Sequence, residues 1–213
     1  MSHRHRGKSG GKRAVATRKI RRYLIVAEDS KSSLDYLKSF PHNTDLVQIV
    51  PHGGAGNTLS VVKKGIELRD EAAAKGEPFV HVYCVFDKDD FQDDDYHNAV
   101  DKARSRNDVS AIWSNECFEL WDLLHFVYRS TGIGRHDLYR EVSKHIEKSY
   151  DKADKSIYGR LLDRQDNALR NARRLYVKTC ELTSRPWMEN PCTNVHILVE
   201  TLRKLKDISS QVS

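Results

Sequence analysis

Short apolar runs alternate with amphipathic segments along the first half of the chain. The runs are too short for core helices and rich in β-forming residues, so each predicts a strand: YLIVA (23–27), LVQIV (46–50), FVHVYCVF (79–86) and VSAIW (109–113). The third run is apolar on both faces, which predicts a central strand. The segments between the runs show helical spacing, and Pro41 and Pro51 mark the ends of the first helix and the second strand. We therefore expect an α/β fold with a mostly parallel sheet of about four strands flanked by helices.

The second half of the chain has a different pattern. From Glu116 onward the apolar spacing is helical throughout and predicts about four helices of usual length. The segment SNECFELWDLLHF (114–126) is apolar almost all round, which predicts a buried helix. The chain is thus expected to have a tail over 1–22, an α/β core over 23–130 and a helical C-terminal extension over 131–213, packed on the core.

The basic charge of the protein is concentrated at the N-terminus. The whole chain carries 36 Lys or Arg against 30 Asp or Glu, a net charge of +6. Residues 1–22 hold nine of the basic residues and no acid, so the body has an excess of three acids. Such a tail is expected to be disordered. It either adds sequence-independent attraction to nucleic acid or only aids solubility.

Cysteine spacing and hydropathy exclude several classes of protein. The four cysteines form no CxxC pair, which excludes zinc-finger spacing and argues against a disulfide framework: Cys84, Cys117, Cys180 and Cys192. The N-terminus lacks the apolar core of a signal peptide, and no stretch of about 18 apolar residues exists for a membrane span. We expect a soluble cytoplasmic protein with no membrane partner.

Acidic residues follow two of the predicted strands at their carboxyl ends. Glu28 follows the first strand, and Asp87, Asp89 and Asp90 follow the third. Ligands of open parallel sheets bind beyond these strand ends, and converging carboxylates repel one another unless a cation joins them. We expect Glu28, Asp87 and Asp89 to hold Mg²⁺ or Mn²⁺, with Asp90 as an auxiliary ligand. Alternatively, Asp87 caps the following turn while Asp89 and Asp90 face water. Asp93 to Asp95 are expected to begin the next helix.

Four further residues are candidates for contact with this site. Lys31 is a candidate catalytic residue because it lies one turn after Glu28, within reach of a phosphate, and Lys88 lies between the aspartates. Glu119 and His125 lie on the predicted buried helix and need polar partners, so they are candidates for support of the site. An ideal helix places these two about 120° apart, so they do not face one point. The alternative is that His125 bonds a backbone carbonyl while Glu119 caps a loop or pairs with an arginine.

Four segments together resemble the RloB family of prokaryotic defence-associated proteins, a branch of the Toprim-like nuclease superfamily. AEDSKSSLDYL resembles its Glu-bearing opening segment, VFDKDDF its DxDDF strand end, SNECFELWDLLHF its SNPxFExWLLxHF helix and NPCTNVHILVE (190–200) its NPxTxVxxLV segment. The likeness covers about residues 21–202. It implies a Toprim-type core in which Glu28, Asp87 and Asp89 bind Mg²⁺ for phosphodiester cleavage. It also implies a role in phage restriction or abortive infection, beside an ABC-type ATPase encoded in the same operon.

The chain departs from the family pattern at two positions. The family continues its Glu as EGxxTE, whereas Asp29 stands at the Gly position and Ser33 at the second Glu position. The leading hypothesis is a metal-dependent nuclease acting on DNA or RNA, tRNA included. Because loss of a second acid weakens a two-metal site, the alternative is a catalytically weak regulatory or scaffolding subunit of an ATPase defence complex. A third hypothesis is primase-like phosphoryl transfer at the same metal site.

Overall fold

A computed structural model of the protein describes residues 21–28, 31–41, 45–52, 58–88 and 93–210. The strands are Arg22–Glu28 (β1), Val47–His52 (β2), Phe79–Asp87 (β3), Val109–Asn115 (β4) and Cys192–Thr193 (β5). The helices are Lys31–Ser39 (α1), Thr58–Ala74 (α2), Asp93–Arg104 (α3), Glu119–Leu124 (α4), Arg135–Ile146 (α5), Ile157–Leu161 (α6), Gln165–Leu182 (α7) and Val195–Ser210 (α8). The disorder predicted for residues 1–22 lies outside the described residues over 1–20, and at its end the prediction is wrong, since Arg22 begins β1.

The strands form one sheet in the order β2-β1-β3-β4-β5. β1 to β4 are parallel, and β5 pairs antiparallel with β4 through Ser114 with Thr193 and Asn115 with Cys192. The predicted α/β fold with a mostly parallel sheet is therefore confirmed. The prediction of uniform helix after residue 116 is wrong at β5, because a two-residue strand has no detectable periodicity and exists only through its pairing with β4.

Two further boundaries differ from the sequence prediction. The second strand does not stop before Pro51 but continues to His52, since β2 lies at the edge of the sheet, where a proline can be accommodated. The helix predicted over 114–126 is only Glu119–Leu124, because Ser114 and Asn115 still belong to β4. After residue 116 the described chain forms five helices rather than about four, since α4 and α6 are short. No described helix is both long enough and apolar enough to span a bilayer.

Helices cover both faces of the sheet, as the alternation of strand side chains requires. One core cluster joins Ile25, Tyr83 and Ile112 to buried residues of α1 and of α4 to α8. The other joins Leu24 and Cys84 of the opposite face to buried residues of α2 and α3. The helices after residue 130 thus complete one face of the sheet, while the predicted domain boundaries stay a prediction.

Close packing of α2 on β3 depends on Gly65. A Cβ atom at this position would lie 2.6 Å from the Cys84 Sγ atom and 3.2 Å from Val82 Cγ1, and both side chains are fully buried. We expect Gly65→Ala to lower the free energy of unfolding by about 1–3 kcal/mol through overpacking. Urea denaturation of Gly65→Ala, with and without Cys84→Ala, measures this effect, and the second substitution should recover part of the loss. Gly159→Ala is the matched control, because nothing lies within 4 Å of its Cβ position.

Candidate active site

The strand order places two acidic residues at a switch point of the sheet. β1 lies between β2 and β3, so the chain leaves β1 toward one side and later returns to β3 on the other. Glu28 ends β1 and Asp87 ends β3, at the same carboxyl edge. The backbone N–H of Asp87 donates to the Glu28 Oε2 atom at 3.5 Å. Crevices at such switch points are the usual binding sites of open α/β sheets.

Asp87 is almost completely buried, with 2% of its surface exposed. Side chains alternate along a strand, so Asp87 lies on the same face of β3 as Tyr83 and Val85. That face packs against α1 and the helices α4 to α8. The carboxylate therefore meets residues from the second half of the chain.

Helix α4 contributes a second set of acidic residues, which contact side chains of the segment between α5 and α6. Glu119 is fully buried, and its Oε1 atom accepts a hydrogen bond of 2.9 Å from the Tyr150 hydroxyl. The same hydroxyl lies 3.4 Å from the Asp122 Oδ2 atom. The Lys152 ammonium lies 3.7 Å from Glu119 Oε1. One tyrosine and one lysine thus connect two carboxyl groups that lie three residues apart on α4.

The environment of Asp122 favours its neutral form. Burial, followed by the negative charge of Glu119, raises the pKa of the Asp122 carboxyl well above its ordinary value. Burial and the two neighbouring carboxyl groups likewise raise the pKa of the Tyr150 hydroxyl, which keeps its proton. The single Tyr150 proton goes to the nearer acceptor, Glu119. We refer to Glu119, Asp122 and Tyr150 as the α4 cluster.

Lys152 brings a positive charge to the acidic residues. Burial alone would lower the pKa of Lys152, but Glu119, Tyr139 and Asp87 act against it and raise the pKa above its ordinary value. The ammonium also lies 5.3 Å from the centre of the Tyr139 ring, within range of a cation–π contact. Its side chain is 34% exposed, so the charge is accessible to a ligand. Lys152 thus contacts Glu119, and its charge also interacts with that of Asp87.

A narrow cleft with a cavity volume of about 20 Å³ opens beside this cluster. Ser32 and Asp35 of α1 line one side, and Asp122, Tyr150 and Lys152 line the other. The Asp122 Oδ1 atom is buried and has no hydrogen-bond partner among the described residues. The cleft therefore offers both a positive charge and an unused hydrogen-bonding atom to a polar group that enters it.

The predicted metal ligands are only partly described. Glu28 and Asp87 lie together, as expected, while Asp89 and Asp90 lie outside the described residues. Within the described ranges, no group of three or more His, Cys, Asp or Glu residues is arranged to hold a metal ion. Metal binding by Glu28, Asp87, Asp89 and Asp90 accordingly stays a prediction.

The two lysines predicted from the sequence differ in what the structure describes. Lys31 begins α1 directly after the carboxyl end of β1, and its side chain lies outside the described part. The Lys88 ammonium lies 5.7 Å from the centre of the Tyr96 ring, which belongs to the core on the α2–α3 face. Lys88 thus points to the face opposite Lys152. The roles of Lys31 and Lys88 stay predictions.

His125 is a core residue with a backbone partner. Its Nδ1 atom lies 2.9 Å from the Trp121 carbonyl oxygen, which confirms the backbone-carbonyl alternative. The ring also packs edge-on against Tyr36 and Trp121. The described contacts do not join His125 to Glu119, whose partners are Tyr150 and Lys152 rather than a loop N–H or an arginine.

Burial of His125 predicts a measurable loss of stability in acid. Burial lowers the pKa of this histidine to about 4, so the folded protein keeps it neutral where the unfolded chain binds a proton. Its contribution to stability is complete above pH 6.5 and is lost as the pH falls toward 4, by about 3 kcal/mol. Urea denaturation across this range should give a smaller pH slope for His125→Asn than for wild type. His136→Asn on the surface of α5 is the control, and an unchanged slope for His125→Asn would contradict the prediction.

Sequence reasoning missed Tyr150 and Lys152. Both lie in the segment KSYDKADK (148–155), which reads as an ordinary charged connection between helices. Tyr150 lies 31 positions from Glu119 along the chain, so no local spacing connects the two residues. Only the packing of α5 against α4 brings this segment to the carboxyl end of the sheet.

Comparison with known proteins gives one match. The model of a family described as RloB-like protein matches residues 23–202. The matched range includes β2 to β5, all of β1 except Arg22, and also Glu28, Asp87 and the α4 cluster. No curated protein and no solved structure matches the chain.

Proposed function

Because the chain belongs to the RloB-like protein family, we propose that it is a Mg²⁺-dependent nuclease that hydrolyses phosphodiester bonds of DNA or RNA. The observation that carries the proposal is that Glu28 and Asp87 end neighbouring parallel strands at the switch point of the sheet. The backbone N–H of Asp87 donates to the Glu28 Oε2 atom at 3.5 Å, so the two residues are adjacent. Crevices at such switch points are the usual binding sites of open α/β sheets.

The donor set fits a hard divalent cation. Carboxylate oxygens are the ligands that Mg²⁺ or Mn²⁺ takes in sites that also bind phosphate. Glu28 and Asp87 would hold the ion together with Asp89, and Asp90 would add an auxiliary oxygen. Such an ion would supply Lewis-acid polarisation of the phosphate and activation of water. The carboxylates would hold it in place, and the fixed strands would set their spacing.

Lys152 and the α4 cluster complete the proposed site. The Lys152 ammonium is placed to contact a phosphate oxygen and to balance the negative charge that develops during hydrolysis. Glu119, Tyr139 and Tyr150 hold it in position through the contacts described above. Asp122 lines the adjacent cleft, where its buried Oδ1 atom can hydrogen-bond a small polar group. Lys31 would act as a further phosphate contact from the start of α1.

The proposed biological setting follows from the family alone. We infer a role in phage defence or abortive infection, together with an ABC-type ATPase partner. The basic residues of the N-terminal tail would add attraction to nucleic acid that falls with rising salt. Pull-down with the neighbouring ATPase, before and after phage infection, tests the partnership separately from cleavage.

The direct experiment is a cleavage assay with three substrates. The purified full-length protein is incubated with tRNA, single-stranded DNA and duplex DNA in Mg²⁺, Mn²⁺ or EDTA, with and without the ATPase. We expect cleavage of at least one substrate in Mg²⁺ or Mn²⁺ and none in EDTA. Cleavage that persists in EDTA, or no cleavage under any condition, would contradict the proposal.

One observation favours the second candidate, a regulatory or scaffolding subunit. Ser33 stands where the family carries a second acid, and it is buried, with only 2% of its surface exposed. The position is therefore filled by a short side chain and offers no carboxylate. If Mg²⁺ and Mn²⁺ both fail to raise the thermal stability at millimolar concentrations, the acids form no preorganised site and this candidate gains support.

A further inference from the structure

A groove runs along the outer edge of β4, on the side of the sheet away from Glu28. β3 pairs with β4 along one edge, but β5 covers only Ser114 and Asn115 on the other. The remaining edge borders a groove of about 610 Å³, which lies within the range of about 300–1,000 Å³ typical of binding clefts. The ends of α3 and α7 and the start of α8 form its walls.

The floor of the groove carries backbone hydrogen-bonding groups. The Asn194 side chain hydrogen-bonds to the edge of β4 as a neighbouring strand would. Its Oδ1 accepts from the Trp113 N–H at 2.7 Å, and its Nδ2 donates to the Ala111 carbonyl at 2.9 Å. In a strand, the N–H and C=O of one residue point to the same edge, and residues alternate between edges. The Ala111 N–H and the backbone groups of Val109 therefore point toward the groove. An edge of this kind accepts a further strand.

The walls of the groove are positively charged, and one of the charged side chains packs against an aromatic ring. Arg104 and Arg106 line it, and no acidic side chain is among its lining residues in the described part of the chain. The Arg104 guanidinium lies 5.1 Å from the centre of the Trp187 ring. Trp187 is fixed in turn by a hydrogen bond of 3.3 Å and a stacked contact with His97. The groove thus presents two arginines beside the stretch of β4 that β5 leaves uncovered, where Val109 and Ala111 are 3% and 6% exposed.

We propose that this groove binds an extended segment of a partner protein that carries acidic side chains, as a strand added to β4. The open edge supplies main-chain hydrogen bonds, the arginines select acidic side chains, and Ile197, 38% exposed, contacts an apolar one. A nucleic acid fits less well, because Trp113 and Trp187 are only 6% and 3% exposed and offer no free ring face for a base. The proposal is independent of nuclease activity.

The test uses a cellulose-bound array of eight-residue peptides. Alternate positions are Val, Ile or Thr, and the others are all Glu or Asp, all Lys, or all Ser. We expect the full-length protein to bind acidic members at least about 10-fold more tightly than the Lys and Ser members, as fluorescence polarisation of the best binders would measure. Hydrogen exchange should show slower exchange of the Ala111 N–H in the complex, because an added strand would occupy it.

Charge reversal provides a result that loss of folding could not produce. The double variant Arg104→Glu/Arg106→Glu should no longer bind the acidic peptides and should bind the Lys peptides instead. Arg140→Glu on α5 should keep the wild-type binding preference. The proposal is overturned if no peptide binds, if the preference survives the reversal, or if Ala111 is not protected. It is also overturned if only a ten-residue oligothymidylate binds and the reversal abolishes that binding.

Discussion

Asp87→Asn should remove Mg²⁺-dependent cleavage almost completely while the protein stays folded. The substitution keeps the shape of the side chain but replaces a charged oxygen of a proposed metal ligand with a neutral amide, and it leaves the backbone hydrogen bond to Glu28 intact. Changes to groups that merely support metal ligands cost about 10- to 100-fold, and we expect a direct ligand to exceed that range. Single-turnover cleavage of the best substrate measures the loss.

Asp137→Asn is the matched control for this substitution. Asp137 is an exposed aspartate in the first turn of α5 that pairs on the surface with Arg140. The Asp137→Asn variant should cleave at the wild-type rate. Metal-induced thermal stabilisation should disappear in Asp87→Asn and persist in Asp137→Asn. Cleavage by Asp87→Asn at a rate near wild type would remove this residue from the site.

Lys152→Met should lower cleavage about 100-fold, the order of loss that follows removal of one group stabilising developing charge. The substitution keeps the apolar stem but removes the ammonium that faces both Asp87 and Glu119. It also leaves the buried Glu119 with only its Tyr150 hydrogen bond, so some loss of stability is expected. Measurements of cleavage and of urea stability together separate the two effects.

A double substitution distinguishes catalysis from folding. Lys152→Met/Glu119→Gln removes both charges of the pair, so it should regain much of the stability without regaining cleavage. Lys152→Arg keeps the charge and should retain part of the activity. Lys155→Met, at a neighbouring residue that lines the same cleft, is the matched control. If the double variant regains cleavage along with stability, Lys152 has a structural role alone.

The groove along β4 and the proposed active site lie at different places on the sheet. Glu28 and Asp87 are at the carboxyl ends of β1 and β3, whereas the open edge begins at Val109, the amino end of β4. The two proposals therefore make separable predictions. A partner segment in the groove should leave cleavage by the isolated chain unchanged, and Arg104→Glu/Arg106→Glu should cleave as wild type does.

The four main strands and the position of the acids could be read from the sequence. YLIVA and FVHVYCVF are apolar runs whose burial is needed for folding, so their local pattern is sufficient to predict strands. Since parallel strands share a carboxyl edge, the sequence alone places Glu28 and Asp87 at the same edge of the sheet. A backbone-carbonyl partner is one of the two alternatives that the sequence leaves open for His125, because a buried histidine must find a hydrogen-bond partner.

Only the tertiary structure decided the rest. β5 forms because β4 pairs with it, and Asn194 caps the edge of β4 through its side chain. Tyr150 and Lys152 reach Glu119 because α5 packs against α4. Their separation from Glu119 along the chain is too long for any local periodicity to indicate the contact. Local patterns report what each segment must bury. They carry no information on which distant segment supplies the polar partner, since that choice depends on the packing of the whole chain.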